Sequence, residues 1–294
     1  MAIPETQLIT WSHQGSVTQS ASTYQSIKQT LESVQASYAS KNFTVYLQGS
    51  YGNDTNIYAE SDVDVVIELT STFYHDLTNL DASQQQTFHA NYPAATYNLL
   101  DFKVEVLAHL QSVYGQGVRA GDKAIFIPGS GNRRDADVIV AAQFRKYHGG
   151  SVGNYTPGIC FWNSKGVQII NYPKLHSTNA TAKHQATNSW YKPTVRIMKN
   201  LRKKLVADGR LEDGVAPSYF IEGLMYNVPD DKFGYDYDST IVKSINYLLG
   251  ADRSQFEVVN EQYYLLHHAS PVTWRAEKCT AFLNATRDLW QDWT

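Results

Sequence analysis

The sequence predicts an α+β protein in two lobes: a mixed-sheet lobe with an N-terminal helix over residues 1–180, and a helical lobe over residues 181–294. Three observations lead there. Alternating apolar runs are confined to the first part of the chain, in FTVYLQGS (43–50), DVDVVIEL (62–69), AIFIP (124–128) and DADVIVAAQF from Asp135, and a period of two reads as half-buried strand. After about residue 180 the apolar spacing turns helical, over 189–207, 217–227, 239–249 and 272–290. Hydrophobic residues make up 43% of the 294, enough for a sizeable core in one large domain or two packed lobes.

Taken in order, residues Thr18 to Ser40 place Tyr24, Ile27, Leu31 and Val34 at helical spacing, a long helix to cover the sheet. FTVYLQGS is a strand ending in Gly49-Ser50. A polar, Asn-rich loop leads to the second strand, DVDVVIEL. Residues 96–114 read as a helix and AIFIP as a short strand. GSGNRR (129–134) has the look of a phosphate loop, but it lacks the Gly-Lys-Ser/Thr ending and precedes a strand, so it reads as a hairpin loop. DADVIVAAQF is the third strong strand. GICFWNSKGVQIIN (158–171) is a hairpin turning at Asn163–Gly166. HSTNATAKHQATN (176–188) is the expected crossover between the lobes.

Composition excludes several classes. The net charge of −3 lacks the basic excess with which proteins neutralise long nucleic acids, and favours small substrates. Cys160 and Cys279 form neither a disulfide framework nor a CxxC metal site and are expected as buried free thiols. The start MAIPETQLITWSHQGS has no basic-then-apolar leader, and no run reaches the roughly 20 apolar residues of a membrane span. A soluble, cytoplasmic protein without a membrane partner is the expectation. The nine histidines show no HExxH or clustered ligand spacing; His176, His267 and His268 are expected at the surface or with their hydrogen bonds satisfied.

The chemistry concentrates in LQGSYGNDTNIYAESDVDVVIEL (47–69). Side chains at i and i+2 share one face of a strand, so Asp62 and Asp64 point the same way while Val63 and Val65 enter the core. Neighbouring carboxylates repel and raise one another's pKa, and a divalent cation relieves this. Magnesium prefers such oxygens, often together with substrate phosphates. Gly49 lets backbone approach a ligand, and Gln48, Gly49 and Ser50 are expected at the nucleotide. A third carboxylate is found in RRDADVIVAA: Asp137 adjoins the apolar strand core, whereas Asp135, two residues earlier on the same face, is expected to be exposed. Further on, Lys192, Arg196, Lys199 and Lys203 form a basic stripe opposite Val195, Met198, Leu201 and Leu205, with Lys199 and Lys203 as candidates for triphosphate binding.

The pattern of GS, spacer, DxD and a later strand Asp resembles the polymerase-β-like nucleotidyltransferase superfamily. More narrowly, GSYGNDTNIYAESDVDVVI, DADVIVA, NYPKLH, SWYKPTVRIMKNLRKKL and PSYFIEGLMY, spread over about residues 45–228, are similar to the cGAS/DncV-like nucleotidyltransferases, which make cyclic oligonucleotide messengers in bacterial anti-phage defence. That resemblance implies a two-lobed polymerase-β-like fold with substrates in a cleft between the lobes. It implies phosphate contact by Lys199 and Ser218, stacking of a base on Tyr219, and reading of a uracil edge by Asn171.

The expected reaction joins two NTPs through attack of a 2′- or 3′-hydroxyl on an α-phosphate, then closes the ring. Two Mg²⁺ or Mn²⁺ ions are expected, one on Asp62, Asp64 and Asp137, the other on Asp62 and Asp64 with the triphosphate. A downstream effector would bind the product, and a regulatory partner is conceivable. The alternatives are antibiotic adenylylation, RNA 3′-end addition, or a catalytically silent nucleotide-binding protein.

Overall fold

The computed structural model describes residues 3–15, 17–58, 62–151, 153–267 and 273–293. The chain forms two compact units, one of Val17–Gly49 and Ser61–Lys174, the other of Met1–Ser16, Ser50–Glu60 and Leu175–Thr294. The mixed-sheet and helical characters expected from the sequence are both present. The units are interleaved along the chain: residues 3–15 and 50–58 pack with the C-terminal helices.

The helical unit opens with α1 (Glu5–Ser12). The sheet unit opens with α2 (Thr18–Leu31), followed by β1 (Phe43–Leu47) and the single turn α3 (Gly49–Gly52), at which the chain passes into the other unit. It returns with β2 (Val63–Asp76), then α4 (Ala82–Asn91), α5 (Leu99–Tyr114), β3 (Arg119–Ala120), β4 (Ile125–Ile127), β5 (Ala136–Tyr147), β6 (Tyr155–Trp162) and β7 (Gln168–Asn171). β2 and β5 are parallel neighbours at the centre; β1 flanks β2, β4 and β6 pair successive stretches of β5, and all these further pairings are antiparallel. The alternating residues explain the placement: Val63, Val65, Ile67, Val138 and Val140 are buried in one core with Ile27 and Leu31 of α2 and Phe102, Val106 and Leu110 of α5. Asn98 caps α5, its side chain accepting from the Leu100 and Asp101 amides, which satisfies donors that the first helical turn leaves unpaired.

In the helical unit α6 (Pro173–Ala186), α7 (Tyr191–Ala207), α8 (Ser218–Tyr226), α9 (Tyr237–Gly250) and α10 (Ala276–Gln291) follow. Val195, Met198, Leu201 and Leu205 of α7 are fully buried, as their spacing predicts.

Several expectations need correction. The first long helix ends at Leu31, and Val34 is 89% exposed beyond it. β2 runs on to Asp76 after a shift of register between Leu69 and Phe73; the polar TST that interrupts its pattern is that irregularity, not the strand's end. The supposed crossover 176–188 is mostly α6. Its apolar residues are few, because only His176 and Ala180 of this helix are buried. The GSGNRR loop is a tight hairpin in which Ser130 and Arg133 exchange backbone hydrogen bonds. Both cysteines are free and buried, and burial pushes each thiol up to about 12.

Candidate active site

In the sheet unit, register brings the carboxylates together. Asp64 of β2 lies opposite Asp137 of β5 in the parallel pair, between the buried pairs Val63–Ala136 and Val65–Val138. Parallel partners point to the same face, and adjacent strands lie about 4.8 Å apart. Asp62 precedes β2 and is exposed, whereas Asp64 and Asp137 are half-buried. Burial, and then the Asp62 and Asp135 carboxylates, push the Asp137 pKa up. Asp135 is exposed, its side chain accepting from the Gly129 amide at 2.6 Å.

The turn before β2 is fitted to this group. The Gln48 amide donates to the Asp64 carbonyl at 3.0 Å. Gly49 has φ of 68°, and a Cβ built there would run into the Asp64 carboxylate; glycine is needed for both reasons. The Gln48 Oε1 is buried and has no hydrogen-bond partner among the described residues. Among those residues no three His, Cys, Asp or Glu side chains converge to hold a metal ion. The donor set itself suits magnesium: hard carboxylate oxygens on residues in register, with an orphaned side-chain oxygen on Gln48, whose amide bonds Asp64. Asn171 ends β7, and its Oδ1 accepts from the Tyr172 amide at 2.8 Å.

The other candidates belong to the helical unit. Lys199, a candidate for triphosphate binding, has a wholly buried side chain. Its ammonium donates to Ser50 Oγ at 2.8 Å, the Thr55 carbonyl at 3.0 Å and Glu222 Oε1 at 2.8 Å. Lys192 is also buried, paired with Asp54 at 2.9 Å, and Arg196 donates to the Ser12 and Asp54 carbonyls. Lys203 alone of the four is exposed. The stripe holds segment 50–58 to α7 instead of facing water. Ser218 Oγ accepts from Arg202 at 3.2 Å. Tyr219, partly buried, has its hydroxyl accepting from Asn260 and its ring 5.4 Å from that of His176.

Glu222 was missed by sequence reasoning. It is buried on α8 and accepts from Lys199, from Thr55 Oγ1 at 2.5 Å and from His176 Nε2 at 2.8 Å. Burial alone would push its pKa up, but the Lys199 charge and then the His176 hydrogen bond hold it well below the usual carboxylate range. The available signal was a carboxylate inside the apolar run of PSYFIEGLMY, flanked by residues that α8 buries. His176 is satisfied, as expected; His267 is exposed and its amide donates to the Trp274 carbonyl, and His268 lies outside the described residues.

Comparison with known proteins identifies the class. Residues 178–291 match the cGAS/DncV-like nucleotidyltransferase C-terminal helical domain. A cyclic UMP-AMP synthase of Rhodothermus marinus is 42% identical, over 100% of this chain and 99% of its own. A cyclic nucleotide synthase of Staphylococcus haemolyticus is 36% identical over the full length of both. The R. marinus enzyme solved with Apcpp and Upnpp superposes with a TM-score of 0.91, covering 99% of this chain and 97% of that one. The chain belongs to the cGAS/DncV-like nucleotidyltransferase family. It is an enzyme, a nucleotidyltransferase that makes cyclic oligonucleotides. Among the described residues no helix is long and apolar enough to cross a membrane.

Two predictions follow from this geometry. Gly49→Ala should cost about 1–3 kcal/mol of stability, from left-handed strain and displacement of Asp64, and lower product formation at least tenfold; unchanged turnover would show that Asp64 needs no such space. Lys199→Ala should cost about 3–5 kcal/mol at neutral pH, because it strands a buried carboxylate. Glu222 has its folded pKa below the unfolded 4.5, so its contribution is full above that value and is lost as pH falls through the folded pKa. The gap between wild type and Lys199→Ala, measured by urea unfolding from pH 7 to pH 3, should therefore narrow on acidification; a gap constant with pH would contradict the assignment.

Proposed function

We propose that this enzyme joins UTP and ATP into a cyclic dinucleotide, a second messenger of bacterial anti-phage defence. The observation that carries the reading is the parallel register of Asp64 and Asp137 beside Asp62 and the Gly49 turn. Asp62, Asp64 and Asp137 are the side chains that would hold two Mg²⁺ or Mn²⁺ ions. Bound there, such ions neutralise triphosphate charge and lower the pKa of the acceptor hydroxyl. The hydroxyl oxygen of one nucleotide forms a bond to the α-phosphorus of the other, the bond from that phosphorus to the bridging oxygen breaks, and pyrophosphate leaves. A second such step closes the ring.

The remaining residues orient the substrates. Ser50, Lys199, Lys203 and Ser218 serve the phosphates, with Lys199 acting from its buried position. Tyr219 gives an aromatic face for a base. Asn171 keeps its amide NH₂ and a second Oδ1 lone pair beyond the bond to Tyr172, and so has both donor and acceptor for a uracil edge. The pairing of uridine with adenosine is supported by the 42% identity to the R. marinus enzyme named a cyclic UMP-AMP synthase. A downstream effector that binds the product, and a regulatory partner, belong to the same reading. The modest charge supports small substrates over RNA 3′ ends.

Incubation with all four NTPs and Mg²⁺ or Mn²⁺, followed by mass analysis, should yield a cyclic product containing uridine and adenosine. A linear product, or turnover only with an added antibiotic acceptor, would sink the reading. Asp62→Asn with Asp64→Asn should abolish product and leave the melting temperature within a few degrees, since neither side chain is buried; near-wild-type activity in that variant would end the metal assignment. Asn171→Ser should shift incorporation away from UTP under competition with ATP and GTP, whereas an unchanged profile, or a purine-only wild-type product, would remove Asn171 from base selection.

A further inference from the structure

The hydrogen accounting around Lys199 determines what Ser50 can do. An ammonium has three hydrogens and no lone pair; a hydroxyl has one hydrogen and two lone pairs. Lys199 gives its hydrogens to Ser50 Oγ, to Thr55 and to Glu222. Ser50 is thus an acceptor toward the lysine, and its one hydrogen is directed elsewhere. A phosphate oxygen, which only accepts, is a partner for that hydrogen. A buried ammonium needs a counter-charge. Glu222, itself buried, is that counter-charge.

The same carboxylate reaches two more elements. Through Thr55 Oγ1 it holds the segment that carries Ser50, where the Thr55 amide and Ser50 carbonyl are bonded at 2.9 Å. Through His176 it meets the ring beside Tyr219. We propose that Glu222 is a positioning residue for the triphosphate: it keeps Lys199 aimed at Ser50 and fixes segment 50–55, so that the Ser50 hydroxyl meets a phosphate oxygen as a donor. The inference rests on the reading of Ser50 as a phosphate contact given above.

A double-mutant cycle separates positioning from bulk stability, because residues acting through one another are non-additive. Glu222→Gln and Ser50→Ala, each checked for folding by melting temperature, should each raise KM for NTP, and the dissociation constant for Apcpp or Upnpp, at least tenfold, with kcat changed less. The double variant should be no worse than the more severe single. Multiplication of the two effects to about a hundredfold, or an unaltered affinity in folded Glu222→Gln, would overturn the proposal. If Glu222→Gln does not fold, Thr55→Val takes its place: it removes one donor to Glu222 and keeps the Lys199 pair. It should weaken analogue binding several-fold on the wild-type background and not at all on Ser50→Ala; equal weakening on both would overturn the proposal. Analogue affinity needs no turnover, so the cycle reads out even where wild-type product analysis contradicts the proposed reaction.

Discussion

Like charge at close range is the constraint around which the sheet unit is arranged. Asp64 and Asp137 face the same way on the central parallel strand pair, with Asp62 and Asp135 near enough to raise Asp137. Such an arrangement costs free energy in the isolated protein, and the packing around it bears that cost. Val63, Val65, Ala136 and Val138 alternate with the carboxylates and are buried, so the register cannot slip by one residue without turning apolar side chains to the opposite face. The charges are held by residues that have no part in the chemistry.

The helical unit handles charge the opposite way. Lys199 and Glu222 are both taken out of water, and each is surrounded by partners: Ser50, Thr55 and the carboxylate for the lysine; Lys199, Thr55 and His176 for the glutamate. Replacement of a buried ion pair by apolar residues is often neutral or favourable, so stability alone is a weak account of its presence. Definition of a single geometry for the segment around Ser50 is a stronger one. The sheet unit sets like charges side by side on neighbouring strands; the helical unit pairs opposite charges where a segment has to stay in place.

The strands that carry the carboxylates were legible in the sequence because a period of two, ending in Asp, has few other readings. Asp137 was separable from Asp135 by its distance from the apolar strand core, and exposure follows that order. The long α7 was legible by its apolar side, whereas the partners of its basic side were not. Periodicity reports which residues share a face; it does not report that Asp54, Glu222 and two backbone carbonyls from 23 or more positions away are waiting on that face. Helix α6 was lost for a related reason: most of its residues are polar or alanine, with only His176 and Ala180 buried, so no apolar stripe marks it. Glu222 was hidden because a lone carboxylate in an apolar run acquires meaning only when its cation partner is known.

The stretch between Gly49-Ser50 and Asp62-Asp64 reads as a spacer inside one motif, but its packing gives it a different status. Asn53, Thr55, Asn56 and Ile57 are buried. The Gly15 amide donates to the Asn56 carbonyl, and Gly15 itself lies so close that a Cβ there would come within 2.6 Å of the Ile57 carbonyl. Gln14 adds a hydrogen bond to the Asn56 side chain. A freely drawn loop would leave such groups to water; here they are core polar groups of the helical unit, and each has to be paired. The motif is therefore anchored in the sheet unit at Gly49 and again at Asp62 and Asp64, while residues 50–58 between them are constrained by packing within the helical unit. That explains why a polar, Asn-rich run stands between two functional signatures. Asparagine and threonine there bridge backbone and buried charge, and an equally long stretch of glycine and serine would keep the spacing while losing the contacts that hold Ser50 in place.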